Sequence, residues 1–121
     1  MTALIAIVDD DASILRALSR LLGGAGFAVR AFGSAEEFLG LEHPETIDCL
    51  VLDIQMPGLS GFDLQVRLAG ARLPIPIIFI TAHDDALTRE RARKSGAVAY
   101  LTKPFDAHSL LKAVAKALGT E

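Results

Sequence analysis

The chain has 121 residues, 51% hydrophobic and 22% charged, with 12 Lys+Arg against 15 Asp+Glu for a formal net charge of -3. These values fit one compact soluble domain spanning 1–121 with no second domain in the chain, and exclude a membrane-spanning protein, since no apolar stretch approaches the ~18 residues a bilayer requires. The acidic balance, a single Tyr and the absence of Trp argue against direct nucleic-acid binding, and a lone cysteine, Cys49, excludes an internal disulfide or a cysteine-built zinc cage. The N-terminus lacks the pattern of a secretion signal, so a cytoplasmic location with no membrane partner is expected.

In chain order, short apolar runs at Leu4 to Val8, Phe27 to Phe32, Ile47 to Leu52, Ile77 to Ile80 and Val98 to Leu101 predict five strands, separated by segments long enough for helices. The third and fourth runs are nearly continuous, as expected for parallel strands covered on both faces, which predicts a three-layer α/β sandwich. Asp11 is placed to cap a first helix with Ile14, Leu15, Leu18, Leu21 and Leu22 on one face, ended by Gly23 and Gly24. Ser34 to Glu37 reads as a capping box opening the second helix. Ser60 starts the third, which Gly70 closes before Pro74 and Pro76. The fourth, about Asp85 to Ser95 with Gly96 as its stop, has Leu87 as its only large apolar residue among Arg89, Arg91, Arg93 and Lys94, so weak anchoring is expected. Asp106 caps a last helix striped by Leu110, Leu111, Val114 and Leu118, after which Gly119 to Glu121 reads as a fraying end.

Four of the five strands end in chemistry: Asp9 and Asp10 after the first, Asp53 after the third, Thr81 after the fourth, and Thr102-Lys103-Pro104 after the fifth. For the strand order 2-1-3-4-5, ligands bind beyond the carboxyl ends where the order reverses, between strands one and three. Asp9, Asp10 and Asp53 then share one pocket, and neighbouring carboxylates at a spacing of ~4.8 Å between strands repel unless something positive sits among them. Two candidates are a divalent metal and the Lys103 ammonium. An all-oxygen site without His or Cys suits Mg²⁺ or Mn²⁺ rather than zinc. With both in place, one carboxylate can attack a phosphoryl group while Thr81 donates a hydrogen bond to one of its oxygens, giving an aspartyl phosphate.

Val8-Asp9-Asp10, Leu52 to Gly58, Ile80-Thr81-Ala82 and Thr102 to Phe105 resemble the motifs of bacterial response-regulator receiver domains over essentially the whole chain, with Asp53 to Gly61 and Phe79 to Asp84 most similar to the FixJ-like group. The resemblance implies a (βα)5 flavodoxin-like, CheY-like fold and Asp53 as phospho-acceptor for a sensor histidine kinase. It implies Asp10, Asp53 and the Gln55 backbone carbonyl as direct Mg²⁺ ligands, Asp9 acting through water, and Thr81 and Lys103 as contacts of the phosphoryl oxygens. It further implies a cis Lys103-Pro104 bond, Tyr100 as a switch aromatic coupled to Thr81, and Gln55 and His83 as tuners of phosphoryl lifetime. At the level of partners it implies a phosphorylation-dependent homodimer through the fourth helix and fifth strand, and a C-terminal helix-turn-helix output domain outside this chain.

Seen alone, each residue has a plainer reading. The aspartate run is a helix cap with solvated charge, Thr81 a β-branched strand residue, Lys103 a loop lysine, Tyr100 a half-buried strand aromatic, and Gln55 and His83 surface loop residues. Asp11 is assigned to capping, His43 and His108 to the surface, Cys49 to the core and Phe105 to packing beside the site. An aspartate-nucleophile phosphatase usually has a second acid two residues after the nucleophile, where this chain has Gln55. A flavodoxin-like electron carrier needs a phosphate loop where this chain has three aspartates, and a degenerate receiver would lack part of the set Asp9, Asp10, Asp53, Thr81 and Lys103.

Overall fold

A computed structural model describes residues 2–120. Five parallel strands, β1 (Leu4–Val8), β2 (Ala28–Phe32), β3 (Cys49–Asp53), β4 (Ile77–Thr81) and β5 (Ala99–Thr102), form one sheet in the order β2-β1-β3-β4-β5. The helices are α1 (Ala12–Gly24), α2 (Ala35–Leu39), α3 (Gly61–Gly70), α4 (Ala86–Lys94) and α5 (Ala107–Ala117), with an unanticipated 3-10 turn at Pro44–Thr46. Strand order and layering are those expected from the sequence.

Alternation within the central strands divides the core in two. Ile5, Ile7, Cys49, Val51, Ile78 and Ile80 face Leu18 and Leu22 of α1 and Leu110, Ala113 and Val114 of α5. Ala6, Val8, Leu50, Leu52 and Phe79 face the opposite layer, with Phe38, Phe62, Leu64, Leu68 and Ala92. A strand whose successive side chains enter two cores has no solvent face, which is why β3 and β4 read as unbroken apolar runs. Each large side chain so buried contributes about 1.5–3 kcal/mol, and Phe62 against Phe79, with ring centroids 4.9 Å apart, adds an aromatic contact.

Several boundaries depart from the expectation. Strand β3 begins at Cys49 rather than Ile47, because Ile47 closes the 3-10 turn and Asp48 exchanges hydrogen bonds with Leu4 at the sheet entrance. Gly23 and Gly24 are the last two residues of α1, as expected, and the left-handed residue that follows is Gly26, at φ 97°. After α3 that conformation falls to Arg72, at φ 59°. The Ser34 hydroxyl accepts from Glu37 N as expected, but the Glu37 carboxylate accepts from Gly33 N instead of Ser34 N. The complete capping box is at Ser60 and Asp63. Within the expected fraying end, Thr120 N donates to Ala115 O at 2.9 Å, and Glu121 lies outside the described residues.

Helix α4 is held even less by apolar packing than its composition suggests. Leu87 is 85% exposed, and only Ala92 is buried. Its tertiary anchors are cationic: Arg91 lies over the Phe62 ring at 4.3 Å and Arg89 over the Tyr100 ring at 5.2 Å. Among the described residues, no helix is long and apolar enough to cross a membrane.

Candidate functional site

Parallel register determines which side chains meet above the sheet. Asp53 is paired in register with Ile80 and Thr81 with Thr102, so the ends of β3, β4 and β5 lie side by side. Asp9 continues β1, its N–H donating to Phe32 O at 3.1 Å. Asp9, Asp53 and Thr81 are the buried polar side chains of the described residues, whereas Asp10 is exposed. Asp11 does what the sequence suggests, accepting from Ser13 N at 2.9 Å to cap α1, and those Ser13 hydrogen bonds hold its carboxyl below the ordinary range.

The close approach of α3 depends on Gly61. Its N–H donates to Ile54 O at 2.9 Å, and a Cβ at this position would lie 2.4 Å from the Asp53 carbonyl oxygen. Only a residue without a side chain lets the start of α3 pack so tightly on the strand end that carries Asp53.

Lys103 draws the carboxylates together. Its ammonium donates to Asp9 Oδ2 at 2.7 Å and lies 3.5 Å from Asp53 Oδ1, while Asp9 Oδ1 accepts from Asp11 N at 2.9 Å. Lys103 N donates to Thr81 O at 2.7 Å, and the Lys103-Pro104 bond is cis. Burial, then the charge of Asp9, push the Asp53 carboxyl up to about 7 against the opposing pull of Lys103. Burial also disfavours the Lys103 charge, but the hydrogen bond to Asp9 and the charge of Asp53 outweigh it and raise its pKa. One carboxylate oxygen from each of Asp9, Asp10 and Asp53 lies within 4.8 Å of the others. This donor set, all oxygen and with more negative charge than Lys103 neutralises, fits a hard divalent cation.

Thr81 sits beside this cluster in a network the sequence did not reveal. Its hydroxyl accepts from His83 N at 3.0 Å and donates to the side-chain Oε1 of Gln55 at 2.5 Å, with His83 O at 3.2 Å as a second acceptor. His83 therefore engages through its backbone; its imidazole is exposed and lies 3.8 Å from Asp85. Tyr100 is half-buried and its hydroxyl donates to Asp84 Oδ1 at 3.0 Å, a contact across 16 positions that no local pattern signals. The other assignments hold: Cys49 is buried, its thiol pushed up to about 12 by burial, His43 and His108 are exposed, and Phe105 packs on the α1–α5 core.

Residues 5–115 match the family described as the response regulator receiver domain. The chain belongs to that family. As a receiver domain it is 49% identical over 115 residues to nodulation protein W of Bradyrhizobium diazoefficiens, an alignment covering 95% of this chain and 51% of that protein. It is 38% identical over 112 residues to the transcriptional regulatory protein FixJ of the same species, covering 93% of this chain and 55% of FixJ. Among solved structures it resembles response regulator StyR, with TM-score 0.91 and 44% identity over 98% of this chain and 60% of that one, and FixJ-N, with TM-score 0.88 and 33% identity over 100% and 97%. The receiver thus spans about half the length of the curated relatives it matches, which include response regulator protein TmoT of Ectopseudomonas mendocina.

Proposed function

We propose that this receiver takes a phosphoryl group from the phosphohistidine of a sensor histidine kinase onto Asp53 and converts it into a changed α4–β5 face. The observation that carries the reading is Lys103, whose ammonium reaches both Asp9 and Asp53 from the end of β5. Asp10, Asp53 and the Gln55 backbone carbonyl would hold Mg²⁺ or Mn²⁺ directly, and Asp9 would do so through a water. When bound, the ion supplies positive charge that keeps Asp53 ionised and screens the phosphoryl oxygens. An Asp53 carboxylate oxygen attacks phosphorus, the O–P bond forms as the N–P bond to histidine breaks, and the imidazole leaves. Lys103 holds one phosphoryl oxygen by charge and Thr81 another by its hydroxyl. Gln55 and His83, at the mouth of the site, set how long the aspartyl phosphate survives.

Thr81 and Tyr100 form the switch: register places Tyr100 beside Phe79, two residues before Thr81 on the same face of the sheet, so an inward ring moves toward Thr81. We assign the cytoplasm as its location, with no membrane partner and no direct nucleic-acid contact. The α4–β5 face would serve as a phosphorylation-dependent homodimer surface. The domain would act on a partner or on a C-terminal helix-turn-helix domain, as suits a relative of transcriptional regulators. The test is intact-protein mass after incubation with Mg²⁺ and acetyl phosphate. One base-labile adduct of about 80 Da, lost in Asp53→Asn, supports the reading; an adduct that persists in the variant overturns it.

A further inference from the structure

Asp84 follows Thr81 by three residues, in the loop between β4 and α4, and its carboxylate is used twice. One oxygen accepts the Tyr100 hydroxyl at 3.0 Å, and the other accepts from the Arg89 guanidinium one turn into α4. The guanidinium in turn lies over the Tyr100 ring, 5.2 Å from its centroid. The three contacts close a loop that joins the β4–α4 connection, α4 and β5. Charge-assisted hydrogen bonds of this kind are stronger than neutral ones, and a cation over an aromatic face adds to them. On a helix whose only buried residue is Ala92, such a loop adds to the Arg91–Phe62 contact in fixing its position.

We propose that Asp84 is a positioning residue for the switch: by bridging Tyr100 and Arg89 it holds the ring in its outer position and opposes the re-posing of α4 that phosphorylation drives. The proposal rests on the reading of Tyr100 as the switch. An inward ring must surrender the Asp84 hydrogen bond and withdraw the surface on which Arg89 lies, so the two arrangements exclude each other. The connection to the phosphorylation site is short. The Thr81 hydroxyl bonds both the N–H and the carbonyl of His83, the residue before Asp84, so a shift of Thr81 is transmitted directly to the clamp. The free energy of the clamp is subtracted from what a phosphoryl group delivers, because apparent affinity falls with the fraction of molecules already in the receptive arrangement.

Beryllofluoride with Mg²⁺, titrated into the purified domain, measures this. Asp84→Ala, Arg89→Ala and Tyr100→Phe each open the clamp, and each should lower the half-saturating concentration by about threefold to tenfold. Arg89→Ala and Tyr100→Phe separate the clamp from plain electrostatics, since removing a cation weakens anion binding and removing a phenol oxygen leaves the charge unchanged. Tyr100 is the only tyrosine, so its ring signals in NMR are resolved and their through-space contacts report its position. In Asp84→Ala and Arg89→Ala without beryllofluoride, nuclear Overhauser contacts between that ring and the Thr81 methyl should strengthen toward those of the loaded wild type, a change that neither loss of stability nor loss of a neighbouring charge produces. If the wild-type ring signals stay fixed on loading, the switch reading of Tyr100 fails and the clamp with it. If they move but Arg89→Ala and Tyr100→Phe bind no more tightly than wild type, the role of Asp84 alone is overturned.

Discussion

Replacing Asp53 with Asn should stabilise the fold, although it removes a partner of Lys103. In the unfolded chain the carboxyl ionises near its ordinary 3.8, whereas in the folded protein burial and the Asp9 charge raise this to about 7. Between those values the folded state binds more protons than the unfolded one, so stability falls as pH rises. The contribution of Asp53 is fully present below pH 3.8 and is lost as pH passes through about 7. At about 1.4 kcal/mol per tenfold change in ionisation, the ceiling is about 4 kcal/mol. Lys103 remains paired with Asp9 in the variant, and water reaching the site past the exposed Asp10 relaxes the burial penalty, so the working figure is about 2 kcal/mol. For a domain of this size that corresponds to roughly 8 °C in Tm. Thermal and urea unfolding of wild type and Asp53→Asn should be compared from pH 4 to pH 8.5 with a chelator present. The variant should match wild type at the acid end and exceed it by about 2 kcal/mol at pH 8. Mg²⁺ at a hundred times its dissociation constant should then return about 2.7 kcal/mol to wild type and much less to the variant. A variant less stable than wild type at pH 8 in chelator, or a difference that does not vary with pH, would show that the Asp53–Lys103 pair outweighs the burial penalty and would refute the argument.

The remaining predictions concern packing, backbone and the Thr81 network. Gly61→Ala should cost about 2 kcal/mol or more in urea unfolding, because the new methyl meets backbone at 2.4 Å, and the same experiment on Gly70→Ala, with nothing within 4 Å, should show a gain of about 0.5–1 kcal/mol. Arg72→Gly should raise stability by up to about 1 kcal/mol by relieving a side chain held at φ 59°; a loss would mean that Arg72 makes a compensating contact. Gln55→Met removes the acceptor to which the Thr81 proton is committed, so beryllofluoride should bind about threefold more tightly and the aspartyl phosphate should decay at a changed rate. Unchanged binding and decay would place Gln55 outside the network.

The parts of this molecule that were legible in its sequence are those the backbone alone determines. Asp9, Asp53, Thr81 and Lys103 close apolar runs, and in a parallel sheet of order β2-β1-β3-β4-β5 the ends of those runs must converge, whatever rotamers their neighbours adopt. Capping at Asp11 and Asp106 was equally legible, because a side chain reaching an N–H two or three residues on needs nothing from the rest of the fold. Where two local solutions competed, the pattern misled: Glu37 finds Gly33 N as readily as Ser34 N, so only the Ser34 half of the expected capping box forms. The clamp shows a third case. Arg89 read as part of an Arg-rich, weakly anchored helix, Tyr100 as a switch aromatic by resemblance and a strand aromatic seen alone, and nothing tied either to Asp84; the three meet only because the β4–β5 register brings Tyr100 beside Phe79 while α4 runs above it. The poverty of α4 in apolar residues was visible in its composition and correctly implied weak anchoring, but the same composition concealed that its anchors are arginines. A helix held by cations on aromatic rings and carboxylates can be re-posed by exchanging a few polar contacts, whereas one held by buried leucines would first have to expose its core face to water. The arginines therefore suit α4 to the re-posing proposed for it, and because charge screening weakens exposed ion pairs, added salt should loosen the Arg89–Asp84 contact more than the buried leucine contacts of α1 and α5.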